Sequence, residues 1–185
     1  YDSIPVFKEK DENGKVAEIN LIAGALKNSN APLPTPDSWA ANPNNQVSIL
    51  TIKLEPNASW ILPKAVEGLN RTLYFYRGDE IKIDGKAIPS DHAIQVNPAE
   101  DIALQAGEED AFILMLQGRP INEPVVQYGP FVMNTNAEIQ EAFQEYRETQ
   151  FGGWPWPEQE YAHDRNKGRF ALHADGKEEI IKGEI

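Results

Sequence analysis

The feature that most constrains the fold is a succession of short β-type segments from Gln46 to Leu116, separated by Gly, Pro and Asn turns. Residues 47–54 alternate with largely apolar side chains on both faces, which is typical of a strand that is covered on both sides. Residues 111–116 are wholly apolar and predict a buried strand. About eight short strands, with no helical periodicity before residue 134, favour a β-sandwich or a small barrel. We therefore expect an all-β fold.

The remaining strand predictions follow the same alternation and end at turn residues. They cover residues 16–23, 59–62, 71–76, 80–84, 87–88, 93–96 and 101–105. The first fifteen residues are dominated by the charged, turn-forming run 8–15, and we interpret them as a start or linker segment. Residues 25–45 are rich in Asn and Pro and predict a long loop.

The pattern changes after residue 117. Residues 118–131 are non-periodic and predict a linker. Thr135 and Glu138 have the spacing of a capping box, and apolar residues follow at helical spacing, which predicts a helix over 136–149. The predicted tail, 150–185, contains Trp154-Pro-Trp-Pro157, which does not suit regular structure, and its residues after Ala174 are expected to be frayed.

Composition excludes several classes of function. The 185 residues carry 17 Lys and Arg against 29 Asp and Glu, a net charge of −12, so the chain has no general electrostatic route to nucleic acid or to anionic membranes. The chain has no Cys, which excludes disulfides, zinc–thiolate sites and cysteine nucleophiles. It also suits a reducing compartment, and we expect a cytoplasmic protein. The apolar runs are about six residues long, against the ~20 that a spanning helix needs.

Catalytic motifs are absent from the sequence, which contains neither Gly-x-Ser-x-Gly nor a glycine-rich phosphate loop. We interpret the three histidines, His92, His163 and His173, as surface residues because none has a ligand partner at obvious spacing. The acidic pairs at 79–80 and 108–110 indicate solvated turns. The aromatic residues of the predicted strands could line a ligand cavity, although core packing explains them equally well. These residues are Tyr74, Tyr76 and Phe112.

The most specific stretch is Asn122-Glu-Pro-Val-Val-Gln-Tyr-Gly-Pro-Phe-Val-Met-Asn-Thr135, an extended apolar loop that runs into a capped helix. It resembles the closing loop of the pirin family, which precedes a helix at the end of the second domain. Upstream pieces resemble the family as well, namely Ile4-Pro5, 22–24, 74–78 and 83–85. The resemblance covers most of residues 1–152.

The resemblance implies a two-domain bicupin whose metal, usually iron, lies in the N-terminal barrel and is held by three His and one Glu. This chain resembles the linker, 1–15, and the C-terminal barrel, 16–135, alone. The fold that the resemblance implies is a cupin-type barrel (double-stranded β-helix or jelly roll) with one C-terminal helix and an extended tail. The first residue is Tyr1 and not Met, and we interpret the chain as a fragment that lacks the N-terminal cupin domain, its expected partner.

The family's metal-ligand motifs can be aligned with this barrel. The Glu position falls on Arg71, and the last His position falls on Ala103. The His-x-His positions fall on Lys64 and Val66, or on Ala65 and Glu67 with the other loop spacing. No family ligand stands at its own position, so we expect that this domain binds no metal and has no catalytic residue.

Three hypotheses about function follow. The first is a metal-free C-terminal cupin domain that packs against the missing metal-binding domain and shapes its site. By resemblance, the intact protein is an iron-binding cupin, either a quercetinase-like dioxygenase or a regulatory partner of other proteins. The other two are a barrel that binds a small ligand by itself and a protein-interaction module. The candidate interdomain packing residues are Val125, Tyr128, Pro130, Phe131, Trp154 and Trp156.

Overall fold

The computed structural model describes residues 3–156 and 162–180. The chain forms two compact units that divide between Ile121 and Asn122. The sequence analysis placed the apolar loop with the barrel and its boundary at 135. The structure instead groups the loop with the helix, because the loop residues pair with one another and pack on that helix.

The first unit contains twelve strands, most of them short. In chain order they are β1 (Val6–Lys10), β2 (Val16–Ala23), β3 (Ala25–Leu26), β4 (Ser29–Asn30), β5 (Ser48–Leu54), β6 (Ser59–Leu62), β7 (Asn70–Arg77), β8 (Glu80–Ile83), β9 (Lys86–Pro89), β10 (His92–Gln95), β11 (Ile102–Ala106) and β12 (Ala111–Gly118). Two 3₁₀ turns, Trp39–Ala41 and Pro43–Asn45, lie in the predicted long loop.

Ten of these strands form two antiparallel sheets. The larger has the order β1-β2-β5-β12-β7-β10, and the smaller has the order β6-β11-β8-β9. Their inward side chains belong to one hydrophobic core, which confirms the all-β prediction. Adjacent strands in the larger sheet come from distant parts of the chain, so sheet formation requires long-range pairing.

The core consists of side chains that repeat every second residue along the central strands β5, β12 and β7, because alternate residues of a strand point to opposite faces. The strand register aligns these side chains in rows. Two of the rows are Leu50–Met115–Leu73 and Ile52–Ile113–Phe75. All six side chains are at most 1% exposed, and burial of each contributes about 1.5–3 kcal/mol.

The start segment is more ordered than the sequence analysis predicted. Residues 6–10 form β1, which pairs with β2 at the edge of the larger sheet. The charges that suggested a turn are suited to an edge strand, where they oppose pairing with another chain. Lys8 forms an ion pair with Glu18 at 2.9 Å. The turn itself begins at Asp11, whose Oδ1 accepts hydrogen bonds from the backbone of Asn13 and Lys15.

The second unit begins with a hairpin of β13 (Val126–Tyr128) and β14 (Phe131–Met133), so the prediction of an irregular linker over 118–131 was wrong. The helix α1 spans Asn136–Thr149, which confirms its predicted bounds. Its capping box is complete. Glu138 N donates to Thr135 Oγ1 at 3.2 Å, and Thr135 N donates to Glu138 Oε2 at 2.7 Å. A 3₁₀ turn, Gln150–Gly152, follows the helix.

The tail also contains regular structure, contrary to the prediction of an extended and frayed segment. Strands β15 (Phe170–Leu172) and β16 (Glu178–Ile180) pair as a hairpin around the Asp175-Gly176 turn. An Asp-Gly pair between two short strands is a strong hairpin signal. Lys167 supports the hairpin by contacting one side chain on each strand. Its Nζ lies 3.9 Å from the Phe170 ring and 2.7 Å from Glu178 Oε2. The predictions for 157–161 and 181–185 lie outside the described residues.

Gly24 provides a stability test, because a Cβ at this position would lie 2.5 Å from the carbonyl oxygen of Val47 and its φ is +85°. Gly85 has a similar φ of +80°, but a Cβ there would have no neighbour within 4 Å. Gly85→Ala should therefore lower the free energy of unfolding by about 1–2 kcal/mol, because Ala is strained at a positive φ. Gly24→Ala should cost about 3 kcal/mol or more, because it adds the clash. Urea denaturation of both variants measures the difference, and equal losses would contradict the proposed close approach.

The turn at 107–109 is held by the Asp79 carboxylate. Asp79 Oδ2 accepts a hydrogen bond from Glu108 N at 2.9 Å, and Oδ1 accepts one from Glu109 N at 3.3 Å. Backbone hydrogen bonds, first from Glu108 and then from Glu80, hold the pKa of Asp79 below its ordinary 3.8. These bonds favour the charged carboxylate, so Asp79 is more than a solvated turn residue.

Asp79→Asn should lower the melting temperature at neutral pH, because the amide replaces one acceptor oxygen with a donor. The folded-state pKa is depressed, so this stabilisation is fully present above 3.8 and is lost as the pH falls through the folded-state value. The difference in melting temperature between the wild type and Asp79→Asn should therefore become smaller below pH 3.8. Thermal unfolding as a function of pH measures it. Asp37→Asn, at an exposed loop position, controls for the charge change, and a gap that is independent of pH would contradict the assignment.

Candidate functional site

The central strands carry a polar row at one end of the core, and this row is the candidate site. It consists of Ser48 on β5, Gln117 on β12 and Arg71 on β7, which stand opposite one another in the register. The row continues the inward positions that hold Leu50, Met115 and the other core side chains further along. Arg71 is 5% exposed and Ser48 is 7% exposed. The sheet therefore places a buried cation where the apolar rows would predict another aliphatic side chain.

Arg71 is held in a fixed orientation by two hydrogen bonds. Its Nε donates to Gln117 Oε1 at 2.7 Å, and its Nη1 donates to the carbonyl oxygen of Pro63 at 2.9 Å. Gln117 is fixed in turn, because its Nε2 donates to the carbonyl oxygen of Gln46 at 3.2 Å. The guanidinium is thus positioned by residues from three separate parts of the chain.

The electrostatic environment of Arg71 is short of negative charge. Burial lowers the pKa of its guanidinium below the ordinary value, and the charge of Asp101 partly opposes this effect. Asp101 itself accepts a hydrogen bond from Lys64 N at 2.7 Å. Among the ion pairs of the described residues, none includes Arg71. Arginine remains protonated in proteins, so the site holds a buried positive charge.

A cavity of about 300 Å³ opens beside this charge. Its polar wall includes Arg71, Gln117 and Ser48. Its apolar wall includes Leu50, Leu62 and Met115. A second cavity of about 640 Å³ is formed mainly by residues 22–25, 30–34 and 40–43 of the loop region. Both belong to the first unit.

The family's metal-ligand positions do not offer a metal-binding donor set here. A guanidinium has five donors and no acceptor, so Arg71 cannot ligate a metal and repels a cation. Lys64, Val66 and Ala103 are exposed and supply no neutral nitrogen or carboxylate. In the alternative register Ala65 is half-buried and Glu67 is exposed. Within residues 3–156 and 162–180, no group of three or more His, Asp or Glu is placed to hold a metal ion.

The three histidines each have a local neighbour. His92 is exposed, and its Nδ1 lies 2.9 Å from the carbonyl oxygen of Ser90. The rings of His163 and Phe170 meet edge to face with centroids 4.9 Å apart. His173 Nε2 lies 3.6 Å from Glu179 Oε1. These contacts are local packing and hydrogen-bonding roles for surface side chains.

The predicted cavity-lining aromatics lie on the outer face of the larger sheet. Tyr74 and Tyr76 are 39% and 51% exposed. Phe112 is half-buried, with its ring centroid 6.3 Å from that of Tyr76. Neither of the two cavities described above includes any of the three. The alternation on β7 explains this outcome, because it turns Leu73 and Phe75 inward and their neighbours outward.

The six candidate packing residues differ in how exposed they are to solvent. Val125, Tyr128 and Trp154 are 76%, 68% and 55% exposed, and Pro130 is exposed as well. Trp156 is half-buried, with its ring 4.7 Å from that of Trp154. Apolar surface is therefore presented to solvent by the four exposed residues, Val125, Tyr128, Pro130 and Trp154.

Phe131 has a different environment, since its ring packs inside the second unit. It meets the ring of Phe143 edge to face at 4.8 Å and also contacts Tyr146 and Phe151. Such aromatic pairs contribute about 0.5–1.5 kcal/mol each beyond their buried area. Phe131 therefore holds the hairpin on the helix.

Neither the partners of Arg71, Gln117 and the carbonyl oxygen of Pro63, nor Ser48 in the same row was predicted from the sequence. A signal existed for two of them, because a polar side chain occupies an inward position of an otherwise apolar alternation in β5 and β12. The pairing of these positions with Arg71 depends on strand register. Strand register between distant segments is not readable from local pattern.

Comparison with known proteins gives a family match over more than half of the chain. Residues 49–152 match the family described as the Pirin C-terminal cupin domain. A Vibrio cholerae protein that is provisionally named a quercetin 2,3-dioxygenase is 34% identical over 134 residues, which is 72% of this chain and 42% of that protein. Pirin-1 of Arabidopsis thaliana is 30% identical over 147 residues, which is 77% of this chain and 47% of that protein.

A solved structure gives the same relationship. The crystal structure of quercetin 2,3-dioxygenase from Acinetobacter baumannii matches with a TM-score of 0.67 and 25% identity, over 82% of this chain and 49% of that chain. The cupin-type fold is therefore confirmed. The chain spans less than half the length of these relatives. No helix in the described part of the chain is long and apolar enough to cross a membrane.

The donor set at the ligand positions leads to a prediction about metals. This chain, exposed under anaerobic conditions to Fe²⁺ and separately to Ni²⁺ and Zn²⁺, should retain far less than one equivalent after dialysis, because Arg71 repels cations at the Glu position. Elemental analysis per polypeptide measures the content. Retention of one equivalent of any of the three metals would contradict the prediction.

Proposed function

This chain belongs to the pirin family, and we propose that it acts as the metal-free cupin domain of a longer pirin-like protein. In this proposal it packs against a metal-binding cupin domain and shapes that domain's site. The observation that supports the proposal most directly is Arg71, a buried cation at the position that would carry the family's Glu ligand. A barrel with that residue fixed inside it does not suit redox chemistry at a metal of its own.

The length of the relatives supports the second half of the proposal. This chain spans less than half of each relative, so those relatives contain sequence outside the matched region. We propose that this outside region supplies an iron-binding cupin domain and that the intact protein is a dioxygenase of the quercetin 2,3-dioxygenase type. The names of the Vibrio cholerae and Acinetobacter baumannii relatives support the proposed reaction type.

The second unit offers the surface for this packing. Val125 and Tyr128 lie on or beside the β13–β14 hairpin and are 76% and 68% exposed. The rings of Tyr128 and Phe131 both contact the Phe143 ring, at centroid distances of 5.7 and 4.8 Å, and this packing holds the hairpin on the helix. Exposed apolar side chains on a rigid support can bury area on association without a large loss of conformational entropy. We propose that they form the contact with the metal-binding domain.

The test uses this chain together with the part of the same gene product that carries the metal-binding cupin domain, expressed as a separate polypeptide. We expect a one-to-one complex by light scattering and titration calorimetry. Val125→Ser combined with Tyr128→Ser should weaken it by about tenfold or more, because both side chains lose their buried apolar area. Quercetin turnover should require the complex and be absent from this chain alone.

The matched control is Val6→Ser combined with Tyr76→Ser, which removes the same two residue types at positions that are 52% and 51% exposed on the first unit. It should leave the affinity unchanged. The proposed function is wrong if the gene encodes no second cupin domain with a His-x-His motif, or if this chain alone turns over quercetin. The proposed surface is wrong if the two double variants weaken the complex equally.

A further inference from the structure

Arg71 has unused hydrogen-bonding capacity inside the barrel. A guanidinium has five N–H donors, and the contacts to Gln117 and Pro63 use one on Nε and one on Nη1. The second Nη1 hydrogen and both Nη2 hydrogens have no acceptor among the described hydrogen bonds. The side chain is only 5% exposed, and it forms part of the cavity wall, so its free hydrogens are open to the cavity and not to bulk solvent. This combination of burial and missing acceptors distinguishes Arg71 from an ordinary surface arginine.

The acidic residue that acts on Arg71 does not form an ion pair with it. Asp101 influences Arg71 from beyond ion-pair distance, and its Oδ1 accepts a hydrogen bond from Lys64 N at 2.7 Å. In a low-dielectric interior an uncompensated charge is costly unless a counterion reaches it. The cavity beside Arg71 gives a counterion a place to bind.

The cavity walls indicate which kind of anion fits. The free Nη1 and Nη2 hydrogens point in the fork arrangement that matches the two oxygens of a carboxylate. Ser48 adds a hydroxyl to the lining, Lys27 and Lys64 also line the cavity, and its apolar part includes Leu50, Leu62 and Met115. A volume of about 300 Å³ is at the small end of ligand cavities. A ligand with a carboxylate group and a short aliphatic chain can contact both the polar and the apolar lining of the cavity.

We propose that this cavity is a binding site for a short-chain aliphatic carboxylate, anchored by a two-pronged hydrogen bond from Arg71. Gln117 is a positioning residue, since it holds the Nε edge of the guanidinium and leaves the Nη edge for the ligand. The acyl chain lies against Leu50, Leu62 and Met115. The site goes beyond the proposed packing function and is independent of it, because every residue involved belongs to the first unit.

The experiment uses the full chain with sodium propionate as the probe, and sodium chloride at equal ionic strength and propionamide as references. We expect a saturable rise in melting temperature with propionate, because a ligand that binds the folded state stabilises it by mass action. Propionamide has the same shape without the charge and should bind about tenfold more weakly or worse. Amide resonances around Ser48, Arg71 and Gln117 should shift on titration.

Two variants test the anchor. Arg71→Lys keeps the charge but loses the fork, and it should weaken propionate binding by about tenfold or more. Gln117→Glu places a carboxylate against the guanidinium and should block the ligand by forming an internal ion pair. It serves as the second test if Arg71→Lys does not fold. Arg77→Lys is the matched control, since Arg77 is exposed and lies over the Phe112 ring at 4.9 Å, and it should bind propionate as the wild type does.

Several results would contradict the proposed carboxylate-binding site. One is a response to propionate no larger than that to chloride at concentrations up to about 100 mM. Another is equal binding of propionamide, or wild-type affinity in Arg71→Lys or in Gln117→Glu. Resonance shifts confined to residues away from the cavity would place the anion elsewhere and exclude this site. Since none of these measurements involves the metal-binding domain, they can fail while the proposed function holds, and the reverse is also true.

Discussion

The register of β5, β12 and β7 is the constraint on which the rest of the structure depends. Each strand alternates with a period of two, and pairing in this register turns one set of alternate side chains into the shared core. A shift by one residue would turn Tyr74 inward and Phe75 outward, and it would expose every core row at once. The same register determines that the last row is Ser48, Gln117 and Arg71. The apolar core and the polar site are therefore consequences of one pairing.

Much of the fold could be predicted because its signals are local. Alternation predicted the strands of the first unit except β1 and the two-residue strands β3 and β4, which lie in the predicted loop over 25–45. The Thr135–Glu138 capping box gave the helix its correct bounds. The elements that were not predicted are strands that form because they pair with another segment, and the local sequence pattern does not show that pairing. The charged residues of β1 were interpreted as a turn, although they belong to an edge strand. The Pro and Gly residues around β13 and β14 favoured a linker, although these segments form strands of three residues. Short strands have too few residues to show a period.

The candidate site was harder to predict than the fold. Motif spacing drew attention to Arg71 without a structure, since it predicted that the family's Glu position falls on this residue. Its importance depends on Gln117, which lies 46 residues away, and on the carbonyl oxygen of Pro63, which side-chain chemistry does not reveal. The direction of the aromatic candidates also depends on strand register. Tyr74 and Phe75 are neighbours in sequence, and only the register decides which of them faces the core.

A guanidinium at the position predicted for the family's Glu carries the opposite charge to a carboxylate and is also polar. A metal-binding cupin interior carries anionic and imidazole ligands around a cation, whereas here the protein supplies the cation and the ligands are dipoles, Gln117 and the carbonyl of Pro63. Two dipoles do not match the hydration that a buried guanidinium loses. An aliphatic residue at position 71 would avoid this cost and extend the rows that end at Leu73. The retained charge, the fixed orientation and the adjoining cavity together favour an arrangement that is completed by an external anion.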